Sequence, residues 1–88
     1  MIRLSIGVLG SRWWYCNERY HRANGPAVII SAASENWYQK IWYLNGKRHR
    51  TNGPAIMRYD GYRSWYINDQ MLSDYEIMFL VTQGQNND

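Results

Sequence analysis

The sequence predicts a mainly β protein: a single antiparallel β-sheet built from hairpin repeats and closed by one short C-terminal α-helix. One observation is a heptapeptide that occurs twice, as His-Arg-Ala-Asn-Gly-Pro-Ala at 21–27 and as His-Arg-Thr-Asn-Gly-Pro-Ala at 49–55. Another is a Trp-Tyr pair ahead of each copy, at 14–15 and 42–43, which returns at 65–66. Turn dipeptides between short apolar runs complete the pattern. Because such units bury their apolar faces against one another, these recurrences indicate a stacked array.

The elements follow in order from the N-terminus. Ile2–Val8 alternates weakly and predicts a first strand, which turns at Gly10-Ser11 into the first repeat. A chain of 88 residues is assigned to a single domain with a small core. Its parts are an N-terminal strand region at 1–11, two and a half repeats at 12–72, a helix at 73–83 and a frayed tail at 84–88.

The second copy shows the repeat unit most clearly. Trp42-Tyr43-Leu44 is a strand, and Asn45-Gly46 is a strong hairpin signal because both turn positions need positive φ. In the loop Asn52-Gly53-Pro54, Asn and Gly tolerate left-handed backbone, and Pro ends the strand pairing. The unit continues through a polar strand at 47–50, a strand at 55–59, a turn at Asp60-Gly61 and a strand at 62–67.

The spacing between copies is irregular at one place. Trp14 and Trp42 are 28 residues apart, whereas Trp42 and Trp65 are 23 apart. The five additional residues lie around Ser31–Gln39 and predict a longer hairpin that projects Trp37 and Tyr38 away from the regular repeat. Insertions in repeat arrays often carry specific contacts, so this segment is a candidate binding element.

The C-terminal segment predicts a helix. Ser73 and Glu76 have the spacing of a capping box, and Tyr75–Val81 is apolar enough for two to three turns. The run is apolar nearly all round, which indicates burial on two sides. Burial against the sheet within one molecule is the simpler expectation, and contact with a partner or a second copy is the alternative.

Composition and charge restrict the function. No stretch has the length and apolarity of a membrane span or the pattern of a signal peptide, and the single cysteine, Cys16, fits a reducing compartment, so a cytoplasmic protein is expected. Residues 1–63 carry all ten Lys and Arg against three acids, a net charge of +7, whereas residues 64–88 carry four acids and no base. This basic body favours an acidic partner, either a protein face or a nucleic acid.

The motif Trp-Tyr-x-Asn-Gly-Lys-x-His-Arg-x-Asn-Gly-Pro-Ala, which stands in full at 42–55, resembles the variant MORN-type repeats of bacteriophage and large-virus proteins. The resemblance covers about Arg12 to Ile67, and the first copy is looser because Asn17-Glu18 replaces Asn-Gly. It implies hairpin units in an elongated antiparallel sheet and a binding or scaffolding role, with no shared catalytic residue. The helix and the five-residue insert lie outside the family pattern.

The His-Arg pairs at 21–22 and 49–50 have two interpretations. They either fix each loop by contacts to the backbone or a Tyr of the next unit, or they recognise phosphate or carboxylate, for which Arg is an apt donor. A metal site is not expected, because no acid or cysteine has a ligand spacing with the histidines. Cys16 and His21 lack an orienting third group, so neither an enzyme nor a cofactor is expected.

Strand alternation separates the aromatic side chains into two rows. Trp42, Leu44, Trp65 and Ile67 form a row that is expected to be the core under the helix. Tyr43, Tyr62 and Tyr66 lie on the opposite face, which is expected to face solvent among Arg and His. This Tyr row either stacks nucleic-acid bases or stabilises the sheet by cross-strand pairing.

Three hypotheses for function remain at the level of sequence. The first is a small phage accessory protein that binds and inhibits a host protein complex through an acidic surface, for instance a bacterial defence complex of the CRISPR type. The second is sequestration of nucleotide or single-stranded nucleic acid, and the third is a structural or antitoxin-like module that dimerises through the helix or an edge strand. The candidate partner-binding residues are Arg22, Trp37, Tyr38, Tyr43, Arg48, His49, Arg50 and Tyr66.

Overall fold

The computed structural model describes residues 2–7, 10–32 and 37–86, with side chains to residue 82. As predicted, it is mainly β, with antiparallel hairpins and one C-terminal helix. The strands are β1 Ile2–Ile6, β2 Arg12–Cys16, β3 Arg19–Tyr20, β4 Val28–Ser31, β5 Tyr38–Ile41, β6 Tyr43–Leu44, β7 Lys47–Arg48, β8 Ile56–Arg58, β9 Arg63–Ser64, β10 Tyr66–Ile67 and β11 Gln70–Met71. The helix is α1 Asp74–Asn86.

Within the described ranges the strands form one larger sheet and two separate short hairpins. A third tight hairpin, β2-β3, is part of the larger sheet. The larger sheet has the order β1-β2-β4-β5-β8-β9, with β3 paired to β2, and the hairpins are β6-β7 and β10-β11. Every pairing is antiparallel. The predicted single sheet is therefore a broad meander from which a tight hairpin branches at each repeat.

The three tight hairpins share one turn geometry. Asn45 and Gly46 have φ of 52° and 79°, as the Asn-Gly pair predicts. The pairs without glycine, Asn17-Glu18 and Asn68-Asp69, adopt the same left-handed conformation, with φ between 48° and 70°. The alignment of the repeats thus holds Glu18 and Asp69 in a backbone conformation that is unfavourable for residues other than glycine.

Neighbouring repeats are joined by backbone hydrogen bonds. The Arg22 N–H donates to the Tyr43 carbonyl over 3.2 Å, and the Gly46 N–H donates to the Tyr20 carbonyl over 2.8 Å. The next junction repeats this pair of bonds, from Arg50 to Tyr66 over 3.1 Å and from Asp69 to Arg48 over 2.8 Å. These bonds satisfy polar groups that each unit would otherwise leave exposed at its ends.

The core is thin and lies on one face of the larger sheet. Directly paired residues share a face, and the register aligns Trp13, Val28, Ile41, Ile56 and Ser64 in one row. Val28 is 3% exposed and Ser64 7%. The alanines that close the two heptapeptides are 0% exposed, and among the described residues no large side chain is completely buried. A small core is what a domain of this size can bury.

The helix begins as predicted and extends further. The Ser73 hydroxyl accepts from the Glu76 N–H over 3.3 Å, and the Glu76 carboxylate accepts from the Ser73 N–H over 2.9 Å, which confirms the capping box. This bond to the Ser73 N–H lowers the pKa of Glu76. The helix ends at Asn86, three residues beyond the predicted end at 83, and the frayed tail at 84–88 stays a prediction. Residues 87–88 lie outside the described part.

None of the helical residues that the structure describes forms a segment long and apolar enough to cross a membrane.

Candidate functional site

The eight predicted binding residues fall in three separate places. The first place, which we name the loop groove, lies between the two heptapeptide loops and is lined by Arg22, His49 and Arg50. The second is a row of side chains on the tight hairpins, and the third is the tip of the β4-β5 hairpin. The hairpin row holds Tyr43, Arg48 and Tyr66, and the tip holds Trp37 and Tyr38.

Each heptapeptide arginine lies on a tryptophan of its own unit. The Arg22 guanidinium is 3.9 Å from the centroid of a Trp14 ring, and the Arg50 guanidinium is 3.9 Å from that of Trp42. Arg22 Nη1 also donates to the Pro26 carbonyl over 3.2 Å, and Arg50 Nη1 makes the equivalent bond in its own loop over 3.0 Å. The arginine therefore connects the loop to the strand that precedes it.

These stacks correct the expected location of the core. The Trp-Leu-Ile row was expected to lie under the helix, but Trp42 of that row is half-buried beneath Arg50, as its counterpart Trp14 is beneath Arg22. In the third copy the position of that arginine is occupied by Ser73, the helix cap. Ile67 of the expected row does lie beside the helix, and together with Leu72 and the helix it lines a cleft of about 270 Å³.

Each heptapeptide histidine holds the turn of the following unit. His21 Nδ1 accepts a hydrogen bond from the Asn45 N–H over 3.0 Å, and His49 Nδ1 accepts one from the Asn68 N–H over 3.1 Å. Both donors, Asn45 and Asn68, are the first residue of a left-handed turn. This is the loop-fixing contact to the next unit's backbone that the first interpretation of the His-Arg pairs predicts.

The glycines of the heptapeptides serve a steric purpose. The expectation that their Asn-Gly pairs use left-handed backbone is wrong, because none of these four residues has positive φ. A Cβ on Gly53 would instead lie 2.7 Å from the Arg50 guanidinium carbon, and one on Gly25 would lie 3.3 Å from that of Arg22. Glycine leaves the space that the stacked guanidinium occupies.

The tyrosines of the tight hairpins stack on one another. Ring centroids are 5.1 Å apart between Tyr15 and Tyr20, and 5.2 Å apart between Tyr20 and Tyr43. The row continues through Arg48, whose guanidinium lies 4.3 Å from the centroid of Tyr66. Tyr66 is only 8% exposed, so the expectation that it faces solvent is wrong. Rings paired in this way match the cross-strand ladder interpretation.

An ion pair closes this row. Arg48 Nε lies 2.7 Å from Asp69 Oδ1, and the Arg48 N–H donates to the same oxygen over 3.0 Å. Both bonds stabilise the carboxylate and lower the pKa of Asp69, and the partner bond raises the pKa of Arg48. Burial raises the pKa of Tyr43, which faces Arg48 across the hairpin.

This geometry predicts an acid-sensitive contribution to stability. Because the pKa of Asp69 is lower in the folded state, its charge stabilises the fold above the unfolded pKa of about 4. That contribution is lost as the pH falls through the folded pKa. Asp69→Asn keeps an acceptor for the Arg48 N–H but removes the charge. We expect it to unfold at a lower temperature than the original chain at pH near 6, with the difference shrinking toward pH near 2. Equal differences at both pH values would contradict the assignment.

The insert is integrated into the sheet, contrary to expectation. Tyr38 begins β5 and pairs with Ser31, so it does not project away from the repeat. Trp37 stacks on Tyr59 of the neighbouring hairpin, with ring centroids 5.7 Å apart. Residues 33–36 of the insert lie outside the described ranges. The described ends of the insert therefore belong to strands of four residues each, β4 and β5, which are longer than β8 and β9 of the next hairpin.

Sequence reasoning missed a row of side chains on the sheet face opposite the core. Successive strand pairs align its members across the sheet, and we name the set the cross-sheet row: Ile6, Arg12, Ile29, Lys40, Met57 and Arg63. Bases and apolar residues alternate, so the cations lie two strand spacings apart, about 9.6 Å. The signal was present in the sequence, because Arg12, Lys40 and Arg63 each stand two residues before the Trp of a Trp-Tyr pair.

The cations of this row have no carboxylate partner among the described residues. The ion pairs in that part of the chain are Arg48 with Asp69 and Arg58 with Asp60. Ile6 is 64% exposed, Arg12 and Arg63 are exposed, and the other members are half-buried. The row is therefore an open surface that is both basic and apolar.

Comparisons with protein families, curated proteins and solved structures find no match to this chain. The resemblance to MORN-type repeats stays a prediction, and the site must be interpreted from its own chemistry.

The helix presents a second open surface. Tyr75 is 81% exposed, Met78 69% and Phe79 59%, so the expectation that the helix is buried within the monomer is wrong. Asp74 and Glu76 make this end of the chain acidic, in contrast to the cross-sheet row. A second copy bound through this helix or an edge strand stays a predicted partner.

Catalytic and metal chemistry find little support in the described side chains. Cys16 is a half-buried free thiol, and the Nδ1 atom of His21 is engaged by the Asn45 N–H. Within residues 2–7, 10–32 and 37–86, no three His, Cys, Asp or Glu side chains are grouped to hold a metal ion.

Proposed function

We propose that the chain is a non-enzymatic binding protein whose cross-sheet row docks against an acidic, partly apolar surface of another protein. The observation that carries the proposal is the alternation, across the sheet, of bases that have no carboxylate partner among the described residues with apolar side chains that are exposed or half-buried. Protein interfaces combine apolar contact with charge complementarity, and charges steer the encounter.

Two observations favour a protein over a nucleic acid as the partner on this face. Aliphatic side chains and a methionine separate the cations of the row, and the ring beside Lys40, Tyr38, is engaged by that lysine. Surfaces for single strands instead place free aromatic rings between their basic side chains. Of the rings that the sequence left open for base stacking, Tyr43 is paired with Tyr20, Tyr66 lies under Arg48, and Tyr62 lies beside the Arg58 guanidinium. The bases of the row instead match the charge of an acidic protein surface.

The partner in this proposal is a host protein complex, such as a CRISPR-type defence complex that a phage accessory protein inhibits. The resemblance to phage repeat proteins supports this form of the proposal. The small core and large aromatic content suit a chain whose surface carries its function. We keep this host complex as the first candidate to test.

The test is affinity capture from a nuclease-treated bacterial lysate followed by binding measurements with the captured protein. The double variant Arg12→Glu and Lys40→Glu is expected to bind about tenfold more weakly, because both reversals fall on the contact surface. Both side chains accept the change without loss of any described hydrogen bond. Capture that disappears with nuclease, or equal binding by the double variant, would refute the proposal.

Lys47→Glu is the matched control for this experiment. Lys47 is exposed on a tight hairpin outside the cross-sheet row, and its reversal alters net charge without touching the row. We expect this variant to bind as the original chain does. A weakening equal to that of a single row variant would indicate a non-specific charge effect.

A further inference from the structure

The loop groove is a concave site formed jointly by the two heptapeptide loops. It encloses about 520 Å³, and its walls include Arg22 and Pro26 from the first loop and His49 and Arg50 from the second. None of the described residues that line it is acidic. We propose that this groove binds a phosphate monoester, a ligand independent of the protein partner proposed for the cross-sheet row.

The free donors of the groove come from two directions. Each guanidinium uses Nη1 to hold its own loop, which leaves its Nη2 group without a described partner. His49 Nδ1 accepts from the Asn68 N–H, so the neutral imidazole carries its proton on Nε2 and can donate from there. A phosphate offers three terminal oxygens to three such donors, whereas a carboxylate offers two.

The cations are held in place before any ligand arrives. Arg22 and Arg50 are each fixed by a tryptophan ring and a carbonyl, so little side-chain entropy remains to be lost on binding. Burial lowers the pKa of Arg50, and no carboxylate among the described residues offsets this cost. A guanidinium that is partly desolvated and unpaired gains from an incoming oxyanion.

The dimensions of the groove indicate an organic phosphate. Small-molecule sites commonly enclose about 300–1,000 Å³, and this groove falls in that range. Its walls also include apolar surface from Pro26, Trp42 and Leu44. The space beyond the donors therefore accommodates the group esterified to the phosphate.

The experiment is titration calorimetry on the full chain with adenosine monophosphate, adenosine, inorganic phosphate and acetate. Adenosine monophosphate and phosphate are expected to bind, with the monoester tighter, and adenosine and acetate are expected not to bind. Binding should also change the fluorescence of the Trp42 indole. No heat with adenosine monophosphate, equal binding of acetate, or binding of adenosine alone would overturn the proposal.

Thr51 gives a matched pair of variants. It is exposed on the rim of the groove, and the first loop has Ala23 at the equivalent position. Thr51→Glu is expected to weaken phosphate binding about tenfold, because a like charge faces the anion. Thr51→Gln, which adds an uncharged side chain of similar length at the same place, is expected to weaken it by no more than about twofold. If Thr51→Glu fails to fold, Asn24→Asp on the opposite rim serves in its place, and undiminished binding by the folded variant would overturn the proposal.

The two binding proposals are separable. Arg12→Glu with Lys40→Glu should leave affinity for the phosphate monoester within about twofold, because neither residue lines the groove. Loss of partner capture with retained phosphate binding, or the reverse, identifies which proposal fails.

Discussion

Replacing Arg50 by alanine is expected to lower the free energy of unfolding by about 2 kcal/mol. The guanidinium lies 3.9 Å from the Trp42 ring, donates to the Pro54 carbonyl over 3.0 Å and donates to Asn52 Oδ1 over 3.3 Å. Removal exposes one face of a half-buried indole and frees the loop from the strand. Urea denaturation followed by tryptophan fluorescence and circular dichroism measures the loss.

Arg12→Ala is the control for this prediction. Arg12 is exposed, and none of the described hydrogen bonds or ion pairs uses its side chain, so its loss is expected to change stability by less than about 0.5 kcal/mol. Arg50→Lys should fall between the two, because an ammonium keeps the charge but not the planar stack. Equal stability of Arg50→Ala and Arg12→Ala would show that the stack contributes nothing.

The recurrence of the heptapeptide and the Trp-Tyr pair was sufficient to predict the sheet, because repetition itself specifies stacked hairpins. It predicted the turn at Asn45-Gly46 from local chemistry. At Asn68-Asp69 the local chemistry is weaker, and the register of the repeat imposes the same backbone. The capping box at Ser73 and Glu76 was predictable because all its partners lie within one helical turn.

The site was harder to predict because its contacts depend on which residues become neighbours across strands. Trp42 was assigned to a core under the helix, since periodicity reports which residues share a face but not what covers that face. Tyr66 was assigned to solvent for the same reason, and Arg48 covers it. The insert was expected to project from the sheet. Additional residues in a hairpin can instead lengthen its two strands, and the sequence does not distinguish these outcomes.

The cross-sheet row could have been predicted from the sequence, but by a weaker signal than the heptapeptide. Arg12, Lys40 and Arg63 occupy the same position in three copies, although the residue type varies and the spacing changes from 28 to 23 residues. The identical residues of the heptapeptide were the more obvious candidates for binding, but their side chains mainly hold the repeats together. Positions that keep only the charge among copies indicated the open face, where none of the three bases has a carboxylate partner among the described residues.

Gly53→Ala is expected to destabilise the protein by about 1–2 kcal/mol, no more than Arg50→Ala does. The new Cβ would stand 2.7 Å from the Arg50 guanidinium carbon and 3.0 Å from Nε. Arg50 is long and flexible, so the clash itself is relieved when the guanidinium moves. The destabilisation comes from the loss of the contact between the Arg50 guanidinium and the Trp42 ring when the guanidinium moves. Gly25→Ala, where the distance to the Arg22 guanidinium carbon is 3.3 Å, should cost less.

The decisive measurement is the stability of the double variant Arg50→Ala with Gly53→Ala. In the absence of Arg50, Gly53→Ala is expected to stabilise the chain and not to destabilise it. Once Arg50 is alanine, the space beside Gly53 is empty and its φ is not in the left-handed region. An alanine there then stabilises the chain by about 0.4–1 kcal/mol, since it reduces the entropy of the unfolded state. Unfolding curves of the four members of the cycle should therefore show strong coupling between the positions. Additive effects would mean that Gly53 is required by the backbone and not by the arginine that stacks beside it.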